Sequence, residues 1–195
     1  MRTARKKYAK CGTNPPDDAI NSRQLVSISF AFGFLKMKHL AFVISISLLL
    51  ITGANAAPVL FIVRHAEKAN GGGKDPELSP QGQKRADALA NILKDSQITS
   101  VFVTEFKRTQ ETAAPTARAA HVSPTVIPAR DIGVLVDKLR TLNGNALVVG
   151  HGNTIPDLLK ALGISTPVSI PEDDYTEIFA VVLADAPQFL RLHYP

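Results

Sequence analysis

The sequence has almost no cysteine, and this shortage excludes several kinds of site. Its single cysteine, Cys11, lies near the start of a chain of 195 residues. Residues 57–195 therefore contain no disulfide, no thiolate metal ligand and no cysteine nucleophile. A segment of this length is sufficient for one domain that is stabilised by its hydrophobic core alone.

Residues 57–195 also lack an excess of positive charge. The whole chain has a formal net charge of +5 and a pI near 9.4, which alone would favour a nucleic-acid partner. Residues 1–56, however, hold eight of the 22 basic residues and two of the 17 acidic ones, which leaves residues 57–195 with a net charge of −1. We therefore expect no nucleic-acid partner.

The chain has no apolar run long enough to span a bilayer. Its longest run, residues 40–51, follows Lys36, Lys38 and His39 and precedes the small residues Ala54-Asn55-Ala56. This order is typical of a secretory signal, whereas a transmembrane helix needs about 18–20 apolar residues. We predict cleavage after Ala56, export to the periplasm or the medium, and no stable membrane anchor.

These features divide the chain into three segments. Residues 1–36 form an N-terminal extension of uncertain status, since either Met1 or Met37 fits as the start of the protein. Residues 37–56 are the predicted signal peptide, and residues 57–195 are the predicted folded domain. The sequence leaves the oligomeric state open.

Apolar runs and helical periodicities alternate along residues 57–195. Strands are predicted over residues 59–63, 100–103, 125–127, 146–149, 177–183 and 189–193, with the last two joined as a hairpin. Helices are predicted from Ser79-Pro80 onward and over residues 108–120, 132–142 and 155–162, with a kink or restart at Pro115. This alternation predicts an α/β fold with a mostly parallel, mixed sheet flanked by helices.

Two histidines follow directly after two of the predicted strands. The run Val59–Val63 leads into Arg64-His65, and the run Ala146–Val149 leads into Gly150-His151-Gly152. Ligands of open α/β sheets bind at the carboxyl ends of the strands, so we expect both histidines at one site. Arginine matches phosphate oxygens and a neutral imidazole can attack phosphorus, so the pair indicates a phosphate site.

Four motifs occur in a fixed order along the chain. They are Arg64-His65-Ala66-Glu67, Leu78-Ser79-Pro80-Gln81-Gly82, Arg108 with Thr112-Ala113, and Gly150-His151-Gly152-Asn153-Thr154. This succession resembles the histidine phosphatase superfamily, which includes phosphoglycerate mutases, acid phosphatases, phytases and phosphohistidine phosphatases. The resemblance extends over nearly all of residues 58–183 and implies a phosphoglycerate mutase-like three-layer sandwich.

The resemblance also implies roles for individual residues. His65 corresponds to the nucleophile, and Arg64, Arg108, His151 and Gly152 to the phosphate pocket. The implied activity is metal-independent hydrolysis of a small-molecule phosphate ester through a phosphohistidine, without a cofactor.

The residues leave the proton donor of such a reaction open. Asp131 lies nearer the usual position of the family's acid, and Glu105 lies three residues before Arg108. The linker over residues 120–131 is too short for the insert of the mutases, so a mutase is not expected.

Three alternative functions are compatible with the same residues. A non-catalytic phosphate-binding module would keep the pocket without turnover, and a phosphohistidine-protein phosphatase would act on a protein. A metallohydrolase would use His65, His151 and Asp131 as ligands, but no closely spaced ligand pair on one helix supports a metal site. The acidic run Glu172-Asp173-Asp174 is predicted to be a solvated loop.

Overall fold

Six strands and four helices alternate through the described part of the chain. The computed structural model describes residues 56–71 and 73–195. The strands are β1 (Val59–Arg64), β2 (Ile98–Val103), β3 (Thr125–Val126), β4 (Asn145–Gly150), β5 (Glu177–Val182) and β6 (Gln188–His193). The helices are α1 (Pro80–Ile92), α2 (Lys107–Ala120), α3 (Ile132–Arg140) and α4 (Ile155–Ala161).

The N-terminal predictions fall outside this part of the chain. The extension over residues 1–36 and all but the last residue of the predicted signal peptide over residues 37–56 lie outside the described residues. Within the residues that are described, no helix combines the length and apolar character needed to cross a membrane.

The strands form one mixed sheet in the order β3-β2-β4-β1-β5-β6. Strands β3, β2, β4 and β1 run parallel to one another. Strand β5 pairs antiparallel with both β1 and β6, so the predicted closing hairpin is confirmed. The predicted α/β fold with a mostly parallel, mixed sheet is likewise confirmed.

Helices cover both faces of this sheet because its central strands are apolar on both sides. On one face, Val63 and Val149 pack in a cluster with residues of α1 and α2. On the other face, Leu60 and Val148 pack in a second cluster with residues of α3 and α4. Burial on two faces explains why β1 and β4 are almost continuously apolar in sequence.

The predicted restart of a helix at Pro115 is wrong, because α2 runs without interruption through this proline, whereas the alternative of a kink stays a prediction. Buried residues lie on both sides of the proline, with Thr112 and Ala113 before it and Thr116 and Ala117 after it. The packing of this continuous buried face outweighs the loss of one backbone hydrogen bond at the proline.

The start of α1 packs directly against the loop that follows β1. Ser79 caps the helix by accepting the backbone N–H of Gly82 at 3.1 Å, as its sequence position predicts. The backbone N–H of Ser79 in turn donates to the carbonyl of Glu67 at 2.8 Å. A Cβ atom on Gly82 would lie only 2.2 Å from that carbonyl oxygen. The motif around Gly82 therefore serves to bring α1 close to the loop that follows His65.

Replacing Gly82 with alanine is expected to lower the free energy of unfolding by about 1–3 kcal/mol, since the methyl group forces two backbone segments apart. The matched control is Gly133→Ala in α3, where the added Cβ has no neighbouring atom within 4 Å. That substitution is expected to raise the free energy of unfolding by about 0.5–1 kcal/mol. Urea denaturation of both variants checks this; equal stabilities would contradict it.

Candidate active site

The two motif histidines meet at the carboxyl edge of the sheet. Strands β1 and β4 are parallel neighbours in which Arg64 pairs with Gly150, so the residues that follow them emerge side by side. The backbone N–H of His65 donates to the carbonyl of Gly150 at 3.0 Å. The ring centroids of His65 and His151 are 5.3 Å apart, and both residues are buried.

A backbone carbonyl fixes the tautomer of His65. Its Nδ1 atom lies 2.8 Å from the carbonyl oxygen of Ala66. A carbonyl can only accept, so the proton of the neutral ring is on Nδ1. The Nε2 atom therefore carries a free lone pair, which is what a nucleophile requires.

Two threonine hydroxyls orient the second histidine. His151 Nε2 lies 3.1 Å from Thr104 Oγ1, which lies 2.9 Å from Thr109 Oγ1. Thr109 donates its only hydroxyl proton to the carbonyl of Phe106 at 2.8 Å. Thr104 therefore donates to Thr109 and accepts the Nε2 proton of His151, so the Nδ1 atom of His151 is left for a ligand.

Burial keeps both imidazoles uncharged at neutral pH. It is the largest cause that lowers the pKa of His65 from 6.5 to about 4, and the charges of His151, Arg108 and Arg64 lower it further. Burial and the charge of Arg108 likewise lower the pKa of His151 to about 4, against an opposing effect of Glu105. A neutral His65 is the form able to attack phosphorus.

These lowered pKa values predict how stability depends on pH. The unfolded chain takes up a proton on each histidine near pH 6.5, whereas the folded chain does so only near pH 4. Acid therefore favours the unfolded chain, and the free energy of unfolding is expected to fall as the pH is lowered from about 6.5 to about 4. His65→Gln is expected to reduce this fall by about 2–3 kcal/mol. Denaturant titrations across this pH range check the prediction. An equal fall in the free energy of unfolding for wild type and variant would contradict it.

Arg64 is held by backbone carbonyls and an aromatic ring. Its Nη1 atom donates to the carbonyl oxygens of Pro171 at 2.7 Å and Asp174 at 3.1 Å. Its guanidinium lies over the Tyr175 ring at 4.3 Å and against Gly152. Its Nε atom is buried and has no hydrogen-bond partner within the described part of the chain. A buried donor of this kind is stabilised by an anionic oxygen.

Arg108 lies in the first turn of α2, where its sequence position predicts it. Its guanidinium packs over the Phe106 ring at 4.2 Å, and its Nη1 atom lies 3.7 Å from Asp75 Oδ1. The same Asp75 oxygen accepts the backbone N–H of Lys107 at 3.0 Å and so caps the helix. Arg108 is thus oriented by a ring on one side and a carboxylate on another.

The loop that carries His65 is fixed from two sides. The backbone N–H of Ala66 donates to Thr112 Oγ1 at 2.9 Å, which links the loop to α2. Arg85 in α1 contacts both carboxylate oxygens of Glu67 at 2.7–2.9 Å. This pair keeps the pKa of Glu67 below its ordinary value, so Glu67 acts as a structural anion.

The two predicted proton donors are brought to the same loop before α3. Glu105 Oε2 accepts the backbone N–H of Ala129 at 2.8 Å, and the Glu105 charge reaches far enough to raise the pKa of His151. Asp131 borders a cavity of about 30 Å³ that extends to Gly150. Neither carboxylate contacts His65 in the described structure, so the choice between them stays a prediction.

The metallohydrolase alternative requires His65, His151 and Asp131 as metal ligands. Among the described residues, the potential metal ligands that lie close together are three other residues. Asp174, Glu177 and His193 offer ligand atoms within 4.8 Å of one another. Arg191 already pairs with the buried Glu177 and neutralises its charge. This set contains neither His65 nor His151, so nothing in the described part of the chain supports a metal at the histidine pair.

Several residues of the site follow from no sequence motif. Thr104 and Thr109 orient His151, Asp75 orients Arg108, and the turn from Pro171 to Tyr175 holds Arg64. Of these residues, only Thr104 could have been identified from the sequence, because it is a polar residue directly after the apolar strand β2. The others lie on loops whose path over the sheet edge depends on tertiary packing.

The fold and the side chains at its edge define a class of α/β domain with two buried histidines and two arginines at the carboxyl ends of parallel strands. The family model described as the histidine phosphatase superfamily (branch 1) matches residues 60–131. This segment contains Arg64, His65 and Arg108. The resemblance predicted from the sequence is therefore confirmed.

Solved structures share this fold at low sequence identity. The protein histidine phosphatase SixA with tungstate is 24% identical, covers 69% of this chain and 96% of its own, and has a TM-score of 0.59. A mycobacterial glucosyl-3-phosphoglycerate phosphatase is 14% identical, with coverages of 71% and 98% and a TM-score of 0.57. A protein named mycobacterial hydrolase 2 is 14% identical, with coverages of 70% and 89% and a TM-score of 0.54. A comparison with curated protein sequences gives no match.

Proposed function

We propose that this protein is a metal-independent phosphomonoesterase that works through a phosphohistidine on His65. The observation that carries the proposal is the state of His65: a buried, neutral imidazole with its proton fixed on Nδ1. Arg64 and Arg108, whose charges act on His65, supply the positive charge that a phosphoryl group needs, and the His151 ring lies 5.3 Å from the His65 ring. The family match is consistent with a phosphatase.

In the first step, the lone pair of His65 Nε2 attacks phosphorus in line with the leaving oxygen. The N–P bond forms as the P–O ester bond breaks, and a carboxylic acid, Glu105 or Asp131, gives its proton to the departing oxygen. Donors arranged in advance around the equatorial oxygens lower the barrier because they stabilise the charge of the transition state.

In the second step, water attacks the phosphohistidine. The same carboxylate takes a proton from the water, the P–N bond breaks and the lone pair returns to Nε2. The hydrogen bond from Nδ1 to the Ala66 carbonyl stabilises the positive charge that the ring carries while it is phosphorylated.

The phosphate pocket uses the free sides of three residues. The unpartnered Nε atom of Arg64 and the guanidinium of Arg108 each present donors to phosphate oxygens. His151 binds through Nδ1, since Thr104 occupies its Nε2 atom. The negative charge of a phosphate favours protonation of this ring, which converts Nδ1 into a donor.

The proposed substrate is a small-molecule phosphate ester, and the proposed place of action is outside the cytoplasm. The second statement depends on the signal-like pattern of residues 37–56. An exported enzyme does not meet the cytoplasmic signalling proteins on which a phosphohistidine-protein phosphatase would act, which favours a small substrate.

Turnover of a generic aryl phosphate with and without a chelator tests the proposal. Turnover that survives the chelator supports it, whereas turnover that the chelator abolishes favours the metallohydrolase. Vanadate binding without turnover of any ester would support the non-catalytic phosphate-binding module instead.

A further inference from the structure

Four aromatic rings form a continuous row at the carboxyl edge of the sheet. The ring centroids of Tyr175 and His65 are 6.1 Å apart, those of His65 and His151 are 5.3 Å apart, and those of His151 and Phe106 are 5.3 Å apart. The two histidines are in the middle of the row, so Tyr175 and Phe106 flank them on either side.

Each outer ring also packs against one arginine of the pocket. Arg64 lies over Tyr175 at 4.3 Å, and Arg108 lies over Phe106 at 4.2 Å. Both residues are half-buried, and their rings contact the two arginines of the proposed phosphate pocket. A phosphate ester bound between the arginines therefore has aromatic carbon on two sides of the pocket.

This surface has a consequence for the leaving group of the ester. A polyhydroxylated group loses hydrogen bonds to water when it lies against aromatic carbon, whereas an aromatic group gains contact and ring stacking. Specificity of this kind is seen as a ratio of kcat/KM values between substrates, because it depends on differential binding of their transition states.

The turn that holds Arg64 also restricts the charge of the leaving group. The backbone N–H of Asp174 donates to the Pro171 carbonyl at 3.1 Å, and both carbonyls that accept Arg64 Nη1 belong to these two residues. Glu172 and Asp173 lie between them with exposed side chains. Two exposed carboxylates in the turn that holds the arginine are expected to repel a leaving group that carries negative charge of its own.

We infer that Tyr175 and Phe106 are specificity-determining residues and that the substrate is a phosphomonoester with an aromatic leaving group that carries no further negative charge. This inference rests on the proposed phosphatase activity. It goes beyond that activity because the phosphate pocket alone does not distinguish one leaving group from another.

The experiment compares three monoesters of primary alcohols, so that the reacting bond is similar in all of them. They are benzyl phosphate, 4-carboxybenzyl phosphate and glycerol 1-phosphate. The full chain and its Tyr175→Ala, Phe106→Ala and Tyr175→Phe variants are assayed, and thermal melting checks that each variant is folded. Benzyl phosphate is expected to have a kcat/KM about threefold to tenfold above that of glycerol 1-phosphate, the range of one aromatic contact. Its kcat/KM is also expected to exceed that of 4-carboxybenzyl phosphate, because Glu172 and Asp173 repel the added carboxylate.

The ratio between substrates separates specificity from a purely structural role. Each alanine variant is expected to reduce the preference for benzyl phosphate over glycerol 1-phosphate by about threefold to tenfold, and Tyr175→Phe to retain it. Equal losses for all three substrates would mean that the rings only support the arginines, and would overturn the inference while the activity stands. Failure of the wild type to hydrolyse any of the three would instead contradict the proposed function and this inference with it.

Glu172→Gln/Asp173→Asn tests the restriction on charge separately. The double variant is expected to raise kcat/KM for 4-carboxybenzyl phosphate relative to benzyl phosphate, and the difference is expected to shrink at high salt because exposed charges are screened. An unchanged ratio would overturn the part of the inference that excludes anionic leaving groups.

Discussion

His65→Ala is expected to lower kcat/KM by at least about 10³-fold, because removing a nucleophile leaves only the binding and electrostatic parts of catalysis. The fixed tautomer of His65 leaves the lone pair of its Nε2 atom free, and the substitution removes this lone pair together with the ring.

A matched histidine variant controls for this measurement. His121→Asn removes an exposed imidazole at a left-handed position with φ 55°, which asparagine tolerates. It is expected to leave kcat/KM within about twofold of wild type, as surface changes usually do. Exogenous imidazole is expected to restore part of the activity of His65→Ala. Retention of more than a tenth of wild-type activity by His65→Ala would contradict the assigned role.

Arg108→Ala is expected to lower kcat/KM by about 10²–10³-fold and to weaken inhibition by inorganic phosphate, since it removes a charged donor arranged around the transferring group. The guanidinium is oriented by Phe106 and Asp75 before any ligand binds, so little of its binding energy is spent on ordering it.

Arg118→Ala provides the matched control for Arg108→Ala. Arg118 is an exposed residue in the last turn of the same helix, and its removal causes the same change in net charge. A comparable loss of kcat/KM and of phosphate inhibition in the two variants would show that net charge, not the pocket, governs phosphate binding. A loss confined to Arg108→Ala is the result that the site geometry predicts.

The sequence was sufficient to predict the sheet and the position of the histidine pair. Apolar, β-branched runs that end in Arg64-His65 and Gly150-His151 identify buried parallel strands whose ends carry polar side chains. Parallel pairing of β1 with β4 then brings residues 86 positions apart into one site, and the register aligns Arg64 with Gly150. Strands and helix caps can be predicted from the sequence because the patterns that identify them involve residues close together along the chain.

The loop contacts could not be predicted in the same way. Tyr175 reaches Arg64, and Asp75 reaches Arg108, only because loops fold back over the sheet edge. No periodicity encodes such a path. The predicted restart at Pro115 was wrong for a related reason, since burial of the residues on both sides of the proline favours continuation of the helix.

The sequence alone also could not identify the proton donor, because that choice depends on contacts between loops. Asp131 lies in the loop before α3 and Glu105 in the loop before α2, and their positions in the sequence do not show that these two loops meet. The contact from Glu105 to the Ala129 backbone depends on how two distant segments meet. Kinetics of Asp131→Asn and Glu105→Gln would identify which carboxylate donates the proton.

Trapping of the phosphoenzyme tests the central claim most directly. The enzyme is mixed with substrate, quenched in alkali to preserve phosphohistidine, and analysed by mass spectrometry and peptide mapping. We expect one phosphoryl group on Nε2 of His65 that is lost in acid. Turnover without any phosphoenzyme, or a phosphoryl group on another residue, would contradict it.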